Sequence, residues 1–449
     1  MAITVTNRAR LRFDEFDTKV IEQIQTDLTI KNPDWLAAKK YSPWGMAYSK
    51  IPEYLRNYER TDEWIDVPTG YDFTKHLNGG FLIKDKRVLV PAKFPKPLIK
   101  LFSWQKEVGV AVEKAGGGTI LAEVSAGKTI GALEVARHLG QRTLVLLHRM
   151  PLFEGWMADI KKYLGLSGDA VGLIKQTIWR VRSPITLASV QTLGRRNLVP
   201  LLKEFGLIIA DEGQLFPATH WKKTVDPFWA RYKITITATP TRRDKKECLM
   251  YQSFGPICYT VQEKSAVPLQ VKIVQTDFYY DSFLWHEIEE VMIHDAKRNS
   301  LIIEEIVKNY FKQQCTLVLV RRREHGRILK KLLKEKGIMS TLMLGGQEEN
   351  QTRFRAAQSG LIPVTIATYS LVALGSNVPP WQTAILAAPI RDRNLLTQSL
   401  GRIRRKFKGK DVAYVVDFVD DVKVLLRAYR ERMNWFDKHA TVSLATSDL

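Results

Sequence analysis

The sequence predicts an α/β protein with two tandem parallel sheets and a small α+β domain at its N-terminus. From about residue 119 onward, short β-branched or Leu-rich runs alternate with amphipathic segments. This alternation is typical of strands that are buried on both faces and covered by helices. The alternation is interrupted between Lys245 and Arg298, so two sheets explain it better than one. Residues 1–95 contain instead a possible hairpin, aromatic-rich loops, and prolines and glycines that interrupt regular structure.

Each predicted element has its own sequence signal. The strands of the first sheet are predicted at TILAE, TLVLL, ITLAS, LIIA and ITITA, and those of the second at TLVLV, TLML, VTIA, TAILA and VAYVV. Residues 152–164 and 323–336 have amphipathic helical spacing, and PLQVKIVQTDFYY predicts the strand that enters the second sheet. The predicted domains are an accessory domain over 1–95, sheet domains over 96–262 and 263–438, and a polar, frayed tail over 439–449.

Composition restricts the classes of function. The chain has 449 residues, 45% of them hydrophobic, which is enough for two or three cores. The chain has 68 Lys and Arg residues against 47 Asp and Glu residues, which gives a net charge of +21. This charge favours a polyanionic partner such as nucleic acid. The alternative is that the basic residues serve solubility alone. We expect a cytoplasmic protein without a membrane partner, because no apolar run approaches the roughly 20 residues of a membrane span. Cys248, Cys258 and Cys315 lack the spacing of a zinc knuckle or a disulfide framework.

A phosphate-binding loop is predicted within GGGTILAEVSAGKTIGALEVARHL, between a strand and an amphipathic helix. Small residues there let backbone N–H groups turn toward phosphate oxygens, and the helix N-terminus adds a positive dipole end. Lys128 is expected on the β/γ-phosphates and the Thr129 hydroxyl on Mg²⁺. The full consensus has glycine where Ala122 stands, and a short GKT alone also fits an ordinary helix start. The predicted nucleotide-binding residues of the loop are Ser125, Ala126, Gly127, Lys128 and Thr129.

A second acidic motif, DEGQ, follows the apolar strand LIIA. Asp211 at the strand end can hold Mg²⁺ through water, and Glu212 can polarise the water that attacks the γ-phosphate. The alternative is an acid pair at a helix N-terminus. Because a phosphate loop precedes it, the pair predicts ATP hydrolysis.

With TATP at residues 237–240, the order of these motifs resembles that of the superfamily 2 helicases and translocases. The resemblance implies two RecA-like motor domains that use ATP and Mg²⁺. It also implies coupling roles for Thr237 and Thr239 and an adenine-reading role for Gln105. The family's usual box is DExH or DExD, whereas Gln214 occupies the last position here. The hydrolytic pair, Asp211 and Glu212, is unchanged by this departure.

The second half of the chain carries ATYSLVALGSNVP and QSLGRIRRKFKGK, which resemble the fifth and sixth motifs of the family. Gln398, Arg402 and Arg405 fit the pattern Q-x-x-G-R-x-x-R. A planar guanidinium can stabilise the charge that spreads over γ-phosphate oxygens, so both arginines are predicted arginine fingers. The alternative is a basic solvated or nucleic-acid-binding face, which applies above all to Arg404, Lys406, Lys408 and Lys410.

The resemblance, which covers about residues 100–418, also implies contacts with a nucleic-acid backbone. Loops at strand ends in this family present hydroxyls and amides that bind phosphate without reading base sequence. The corresponding residues are His148, Arg149, Gln191, Thr192, Thr368 and Gly375. Each of them also fits an ordinary turn or capping role.

Within the superfamily, the SAGKT loop and the short aromatic-rich N-terminal segment most resemble the phage branch-migration helicases of the UvsW type. This resemblance implies a monomeric DNA helicase acting on forks, Holliday-type junctions or partly single-stranded DNA. It also implies that residues 1–95 bind the duplex or junction. Aromatic residues there alternate with Lys and Arg, and they could either stack on bases or form the core of a small domain.

Two other functions remain open from the sequence. The chain could be an RNA-directed ATPase of the same fold, since the motor motifs do not read the sugar. It could also be an ATP-switched DNA-binding or remodelling protein that does not unwind processively.

Overall fold

The structure is a computed structural model, and the residues that it describes fall into ten segments. These are 2–41, 50–77, 80–123, 126–215, 223–238, 240–241, 245–261, 266–345, 349–373 and 378–444. Among these residues, no helix is both long enough and apolar enough to cross a membrane. The three cysteines are half-buried thiols.

The chain divides into two compact units. The first comprises residues 1–123 and 127–262, and the second comprises 263–449 together with 124–126. The first unit therefore contains both the predicted accessory domain and the predicted first sheet domain.

The N-terminal part of the first unit is a small α+β layer. Its elements are β1 (Ala2–Val5), β2 (Arg8–Arg12), α1 (Thr18–Asp27), β3 (Thr29–Lys31), α2 (Pro33–Tyr41), β4 (Tyr54–Arg56), β5 (Glu59–Arg60), β6 (Trp64–Pro68), a 3₁₀ turn (Thr74–His76) and β7 (Leu82–Asp85). The predicted hairpin is the antiparallel pair β1–β2, in a sheet of order β5-β6-β2-β1-β7. Ile3, Leu11, Ile24, Ile65 and Val67 are fully buried, so the centre of this core is aliphatic.

Buried polar contacts attach this layer to the rest of the first unit. Arg8 pairs with Asp226 at 3.5 Å, and both side chains are less than a tenth exposed. The Asn57 amide donates to Oε1 of Gln252 at 2.7 Å. Because buried polar groups are costly to separate from their partners, the layer forms one body with the sheet that follows it.

The rest of the first unit is built on a mostly parallel sheet of order β11-β10-β12-β9-β13-β14-β8-β15. Its elements are α3 (Ser103–Ala115), β8 (Gly118–Leu121), α4 (Lys128–Leu139), β9 (Thr143–Leu147), α5 (Met150–Leu164), β10 (Gly172–Lys175), β11 (Ile178–Arg180), β12 (Ile185–Ser189), α6 (Val190–Leu193), β13 (Leu207–Asp211), β14 (Tyr232–Thr237), α7 (Glu247–Phe254) and β15 (Ile257–Thr260), with 3₁₀ turns at Gly168–Ala170, Val199–Leu201 and Gly213–Leu215. All the strands predicted for this sheet are present in it. Only β11 runs antiparallel to its neighbour, so the carboxyl ends of the other strands meet at one edge.

The second unit has a parallel sheet of order β18-β19-β17-β20-β21-β16-β22. Its elements are β16 (Leu269–Gln275), α8 (Trp285–His294), α9 (Ala296–Phe311), β17 (Thr316–Val320), α10 (Arg323–Glu335), β18 (Ser340–Met343), α11 (Asn350–Gln358), β19 (Val364–Thr368), α12 (Tyr369–Ala373), β20 (Thr383–Leu386), α13 (Arg393–Ile403), β21 (Ala413–Val419), α14 (Lys423–His439) and β22 (Thr441–Leu444). The prediction of two α/β sheet domains is confirmed, including the entering strand, which is β16.

The C-terminal segment differs from the prediction of a frayed tail. Residues Thr441–Leu444 form β22, which pairs in parallel with β16 in the register Val271 to Val442. Val442 packs against the core of the second unit. The segment was predicted as a tail because it is short and polar, but the open edge of β16 supplies backbone partners that no local sequence pattern reveals.

Candidate nucleotide site

The phosphate loop lies at the carboxyl edge of the first sheet, between β8 and α4. Gly127 precedes the helix with a φ of 83°, in the left-handed region. A Cβ atom there would lie 2.7 Å from Nε2 of Gln105, and the left-handed backbone would strain a residue with a side chain, so the position favours glycine. Lys128 and the half-buried Thr129 open α4, where the helix dipole favours an anion. Ala126 is fully buried.

Three predicted residues converge on Glu212. The Lys128 ammonium donates a hydrogen bond to Oε1 of Glu212. Gln214 donates to the other carboxylate oxygen at 2.6 Å, and the Thr237 hydroxyl donates to the same oxygen at 3.0 Å. The structure thus brings together residues from the phosphate loop, the DEGQ box and the TATP segment.

Glu212 is held as a carboxylate. Burial raises the pKa of Glu212, but Lys128 and the hydrogen bonds from Gln214 and Thr237 outweigh burial and bring it below its usual value. The backbone of Glu212 has a φ of 51°, which a residue with a side chain rarely adopts. Its N–H donates to the carbonyl of Ile236 at 3.0 Å, which anchors this turn to β14. Backbone strain of this kind is common at functional sites.

Asp211 ends β13 and is 8% exposed. Its Oδ2 accepts a hydrogen bond from the indole N–H of Trp156 at 2.8 Å. Trp156, on α5, was not singled out from the sequence, because its spacing marks only the buried face of a helix. Carboxylate and hydroxyl oxygens suit Mg²⁺, so Asp211 and Thr129 have the donor chemistry that this ion requires.

Gln105 lies beside the phosphate loop, with its amide engaged by backbone groups. Its Oε1 accepts from the N–H of Phe102 at 2.9 Å, and its Nε2 donates to the carbonyl of Gly127 at 3.1 Å. These bonds link the start of α3 to the start of α4. Contact with adenine stays a prediction.

The residues predicted to contact a nucleic-acid backbone follow β9 and β12, at the same edge of the first sheet. The Gln191 amide donates to the carbonyl of His148 at 2.7 Å, and the Thr192 hydroxyl accepts from the N–H of Gln176 at 3.0 Å. Burial, aided by Arg149, lowers the pKa of His148 to about 4, so its imidazole is neutral near pH 7. These side chains therefore brace the loops at the ends of β9 and β12, in agreement with the alternative turn and capping roles.

In the second unit, Gln398 and Arg402 lie on α13 and Arg405 follows it. The spacing of four residues places Gln398 and Arg402 on one helical face, whereas Arg405 lies beyond the end of the helix. Both arginines are half-buried. Thr368 ends β19 and is 7% exposed.

The prediction that Lys410 belongs to a basic solvated or nucleic-acid-binding face is wrong. Its ammonium is buried and donates to the carbonyls of Pro379 and Trp381, each at 2.8 Å. Burial lowers the pKa of Lys410 to about 8. Arg404 donates to the carbonyl of Val267 at 3.1 Å, whereas Lys406 and Lys408 are exposed. Local sequence shows a run of charges but not which of them faces backbone carbonyls.

Three predicted residues lie outside the described part of the chain. They are Ser125, Thr239 and Gly375.

A phosphate loop after one parallel strand and an acidic box after another define the class of P-loop ATPases. Residues 98–242, which contain both, match the family described as "Type III restriction enzyme, res subunit". The chain is similar to the superfamily 2 helicases, which are ATP-hydrolysing enzymes.

Viral and cellular helicases are similar to much of the chain. A putative ATP-dependent RNA helicase of Acanthamoeba polyphaga mimivirus is 24% identical over 94% of this chain and 82% of its own length. A probable helicase of Escherichia phage T5 is 25% identical over 83% of each chain. The DNA 3'-5' helicase XPB of Kineococcus radiotolerans is 28% identical over 51% of this chain and 40% of its own length.

A solved structure with a TM-score above 0.5 shares the fold. Dbp5 of S. cerevisiae, bound to RNA and ADP BeF3, aligns with 79% of this chain and 90% of its own, at 12% identity and a TM-score of 0.55. T4 UvsW aligns with 99% of both chains, at 15% identity and a TM-score of 0.45.

Proposed function

We propose that this chain is an ATP-dependent DNA helicase or translocase that unwinds or branch-migrates forked and junction DNA. The convergence of Lys128, Gln214 and Thr237 on Glu212 carries the proposal. The net charge of +21 and the similarity to a relative named as a DNA helicase support DNA as the partner. We expect the protein to act as a monomer in the cytoplasm, which is that of the host cell if the chain is phage-encoded.

ATP hydrolysis on this site begins with an exchange of partners at Lys128. The Lys128 ammonium leaves Glu212 for β- and γ-phosphate oxygens, while Gln214 and Thr237 keep the carboxylate oriented through its other oxygen. Glu212 then accepts the proton of the water that attacks the γ-phosphate. Asp211 and Thr129 are proposed to hold Mg²⁺, which when bound would neutralise phosphate charge.

Two arginines of the second unit are proposed to take part in the reaction. Arg402 and Arg405 are proposed as arginine fingers that stabilise the charge on the γ-phosphate, and Gln398 lies on the same helical face as Arg402. Lys406 beside them is exposed and therefore serves as a natural control residue.

The nucleic-acid backbone is proposed to contact loops at the strand ends. The residues are His148, Arg149, Gln191, Thr192, Thr368 and Gly375. The loops after β9 and β12 are hydrogen-bonded to one another through Gln191 and His148, so they present one surface. Such loops hold phosphates irrespective of base sequence.

The N-terminal layer is proposed as a duplex- or junction-binding module. Its core is largely aliphatic, so its described aromatic residues are not all required for packing. Tyr54 is 46% exposed, and the Lys31 and Lys39 ammonium groups lie 5.5 and 4.7 Å from the ring centroid of Trp35. Aromatic rings flanked by cations suit frayed bases and adjacent phosphates.

An RNA-directed ATPase is the second candidate, favoured by the name of the mimivirus relative. The test is ATP turnover with single-stranded DNA, forked DNA and RNA of matched length. Stimulation by DNA supports the proposal, and stimulation by RNA alone replaces it with the second candidate.

Strand displacement on fork, four-way junction and linear DNA then tests motor action, with ATP omitted and Glu212→Gln as controls. ATP-dependent displacement of fork or junction strands supports the proposal. DNA-stimulated turnover without displacement would instead indicate an ATP-switched binding or remodelling protein.

A further inference from the structure

Residues 402–410, the arginine segment, are anchored to the second unit on both sides of Arg405. On the near side, Arg404 at the end of α13 makes two hydrogen bonds with Val267. The Val267 N–H donates to the Arg404 carbonyl at 2.9 Å, and Nε of Arg404 donates to the Val267 carbonyl at 3.1 Å. On the far side, the anchor is the side chain of Lys410. Arg405 therefore lies between two fixed points.

The Lys410 anchor joins the arginine segment to the start of β20. The Lys410 ammonium donates to the carbonyls of Pro379 and Trp381, each at 2.8 Å, and the side chain is almost completely buried. Trp381 is itself held in place, because its indole N–H donates to the Thr365 hydroxyl on β19 at 3.2 Å. The ammonium thus attaches the arginine segment to a well-packed part of the core.

A tight turn connects this anchor with Arg405. The N–H of Lys410 donates to the carbonyl of Phe407 at 3.0 Å, and Gly409 between them has a φ of 76°. A glycine with positive φ at the third position is typical of a type II turn. Only Lys406 separates this turn from Arg405. A displacement of Lys410 is therefore expected to shift the backbone from which the Arg405 side chain extends.

Hydrogen bonds rather than an ion pair hold the Lys410 ammonium. Within the described part of the chain, no carboxylate pairs with it. Burial and the Arg405 guanidinium lower the pKa of Lys410 to about 8, whereas Cys315 acts in the opposite direction. The effect of Arg405 indicates that the two cations lie within electrostatic range of each other. A buried ammonium is costly unless it is hydrogen-bonded, so the two carbonyls determine where it lies.

We propose that Lys410 is a positioning residue for Arg405, the proposed arginine finger. Its ammonium fixes the far end of the arginine segment, so that the Arg405 guanidinium extends toward the γ-phosphate from a defined backbone position. This inference rests on the proposed function of Arg405. Because a small misplacement of a catalytic group slows the chemical step more than it weakens binding, loss of the anchor should lower the rate of hydrolysis and leave ATP affinity unchanged.

The first measurement is single-turnover ATP hydrolysis by Lys410→Met in the presence of single-stranded DNA. Methionine has a similar length but cannot donate to the two carbonyls. The rate should fall about tenfold, while the dissociation constant for ATP stays within about twofold of that of the wild type. Lys334→Met, which removes an exposed lysine on α10, is the matched control. Thermal unfolding shows whether Lys410→Met is folded at the assay temperature, and Lys410→Gln takes its place if it is not.

A double-mutant cycle then tests whether Lys410 acts through Arg405. If it does, Lys410→Met should cause little further loss in a protein that already carries Arg405→Ala, because the side chain that it positions is absent. Multiplicative losses would show that Lys410 acts independently of Arg405 and would overturn the inference alone. A wild-type rate for Lys410→Met would overturn it as well. An unchanged rate for Arg405→Ala would overturn the proposed arginine finger and, with it, the inference that depends on it.

Discussion

Two ion pairs, one in each sheet domain, differ in how far they are buried. In the first sheet, Lys128 and Glu212 pair at the carboxyl edge, and each side chain keeps 15% of its surface exposed. In the second unit, Arg298 pairs with Asp420 at 2.8 Å, and both side chains are completely buried. The Asp420 carboxylate also accepts from Thr276 at 2.6 Å, and Arg298 donates to the carbonyl of Ala387 at 2.7 Å.

This difference shows how similar sheets can serve hydrolysis or stability. The Lys128 ammonium can exchange its carboxylate partner for another anion, because the pair remains accessible to solvent. The Arg298 guanidinium cannot exchange its partner in this way, because its partners enclose it. Separation of the pair would leave an unpaired charge buried in the core. Arg432 and Asp417 form a second enclosed pair at 2.8 Å in the same unit.

The strongest expected effect is on turnover at the accessible pair. Lys128→Ala and Glu212→Gln should each abolish ATP hydrolysis, because they remove the phosphate contact and the proton acceptor. DNA affinity should stay close to that of the wild type in both variants. Steady-state phosphate release and fluorescence anisotropy measure the two quantities, and Lys161→Ala, an exposed lysine on α5, is the control. Turnover retained by both variants would remove the proposed site.

Arg405→Ala extends the test to the second unit. If Arg405 is an arginine finger, turnover should fall about 10³-fold while ATP binding changes less. Lys406→Ala, at the exposed neighbouring position, should leave turnover unchanged. The comparison needs single-turnover rates together with nucleotide titrations. An unchanged rate for Arg405→Ala would assign this arginine to the basic surface instead.

Arg298→Met should affect stability, in contrast to the accessible pair. It leaves the Asp420 carboxylate buried without its guanidinium, which typically costs roughly 3–5 kcal/mol of unfolding free energy. Arg327→Met, on the exposed side of α10, should change stability by less than about 0.5 kcal/mol. Denaturant titration with a probe in the second unit would distinguish them. Equal stability of the two variants would contradict the structural role of the Arg298 pair.

The smallest effect is expected on DNA affinity when a single contact with the nucleic-acid backbone is removed. DNA affinity should fall steeply with salt, and about six phosphate contacts would give a logarithmic slope near −5. Arg149→Ala should reduce the magnitude of that slope by about one, with a similar loss for every base sequence. Binding isotherms over a series of salt concentrations provide the slope. A flat salt response of the wild-type protein would contradict the charge argument.

Much of the architecture follows from local sequence. The strands of both sheets are β-branched or Leu-rich runs, and burial on both faces explains why such runs are continuous. Within the site, Lys128, Asp211 and Glu212 were predicted because phosphate and magnesium chemistry needs those residue types after strands. The hydrogen bond from Thr237 to Glu212 could not be predicted, since it joins the ends of two different strands. The bond from Gln214 joins near neighbours, but it depends on side-chain orientations in the turn that the sequence does not reveal.

The sequence by itself specified the alternation of buried strands and amphipathic helices, and with it the positions of the phosphate loop and the acidic box. Folding determined which charges meet which partners. Lys410 turns to two backbone carbonyls, Asp211 accepts from Trp156, and Thr441–Leu444 add a strand to an open sheet edge. The reason is physical: strand and helix periodicity is encoded within a few neighbouring residues, whereas hydrogen bonds and ion pairs depend on side chains brought together from distant parts of the chain.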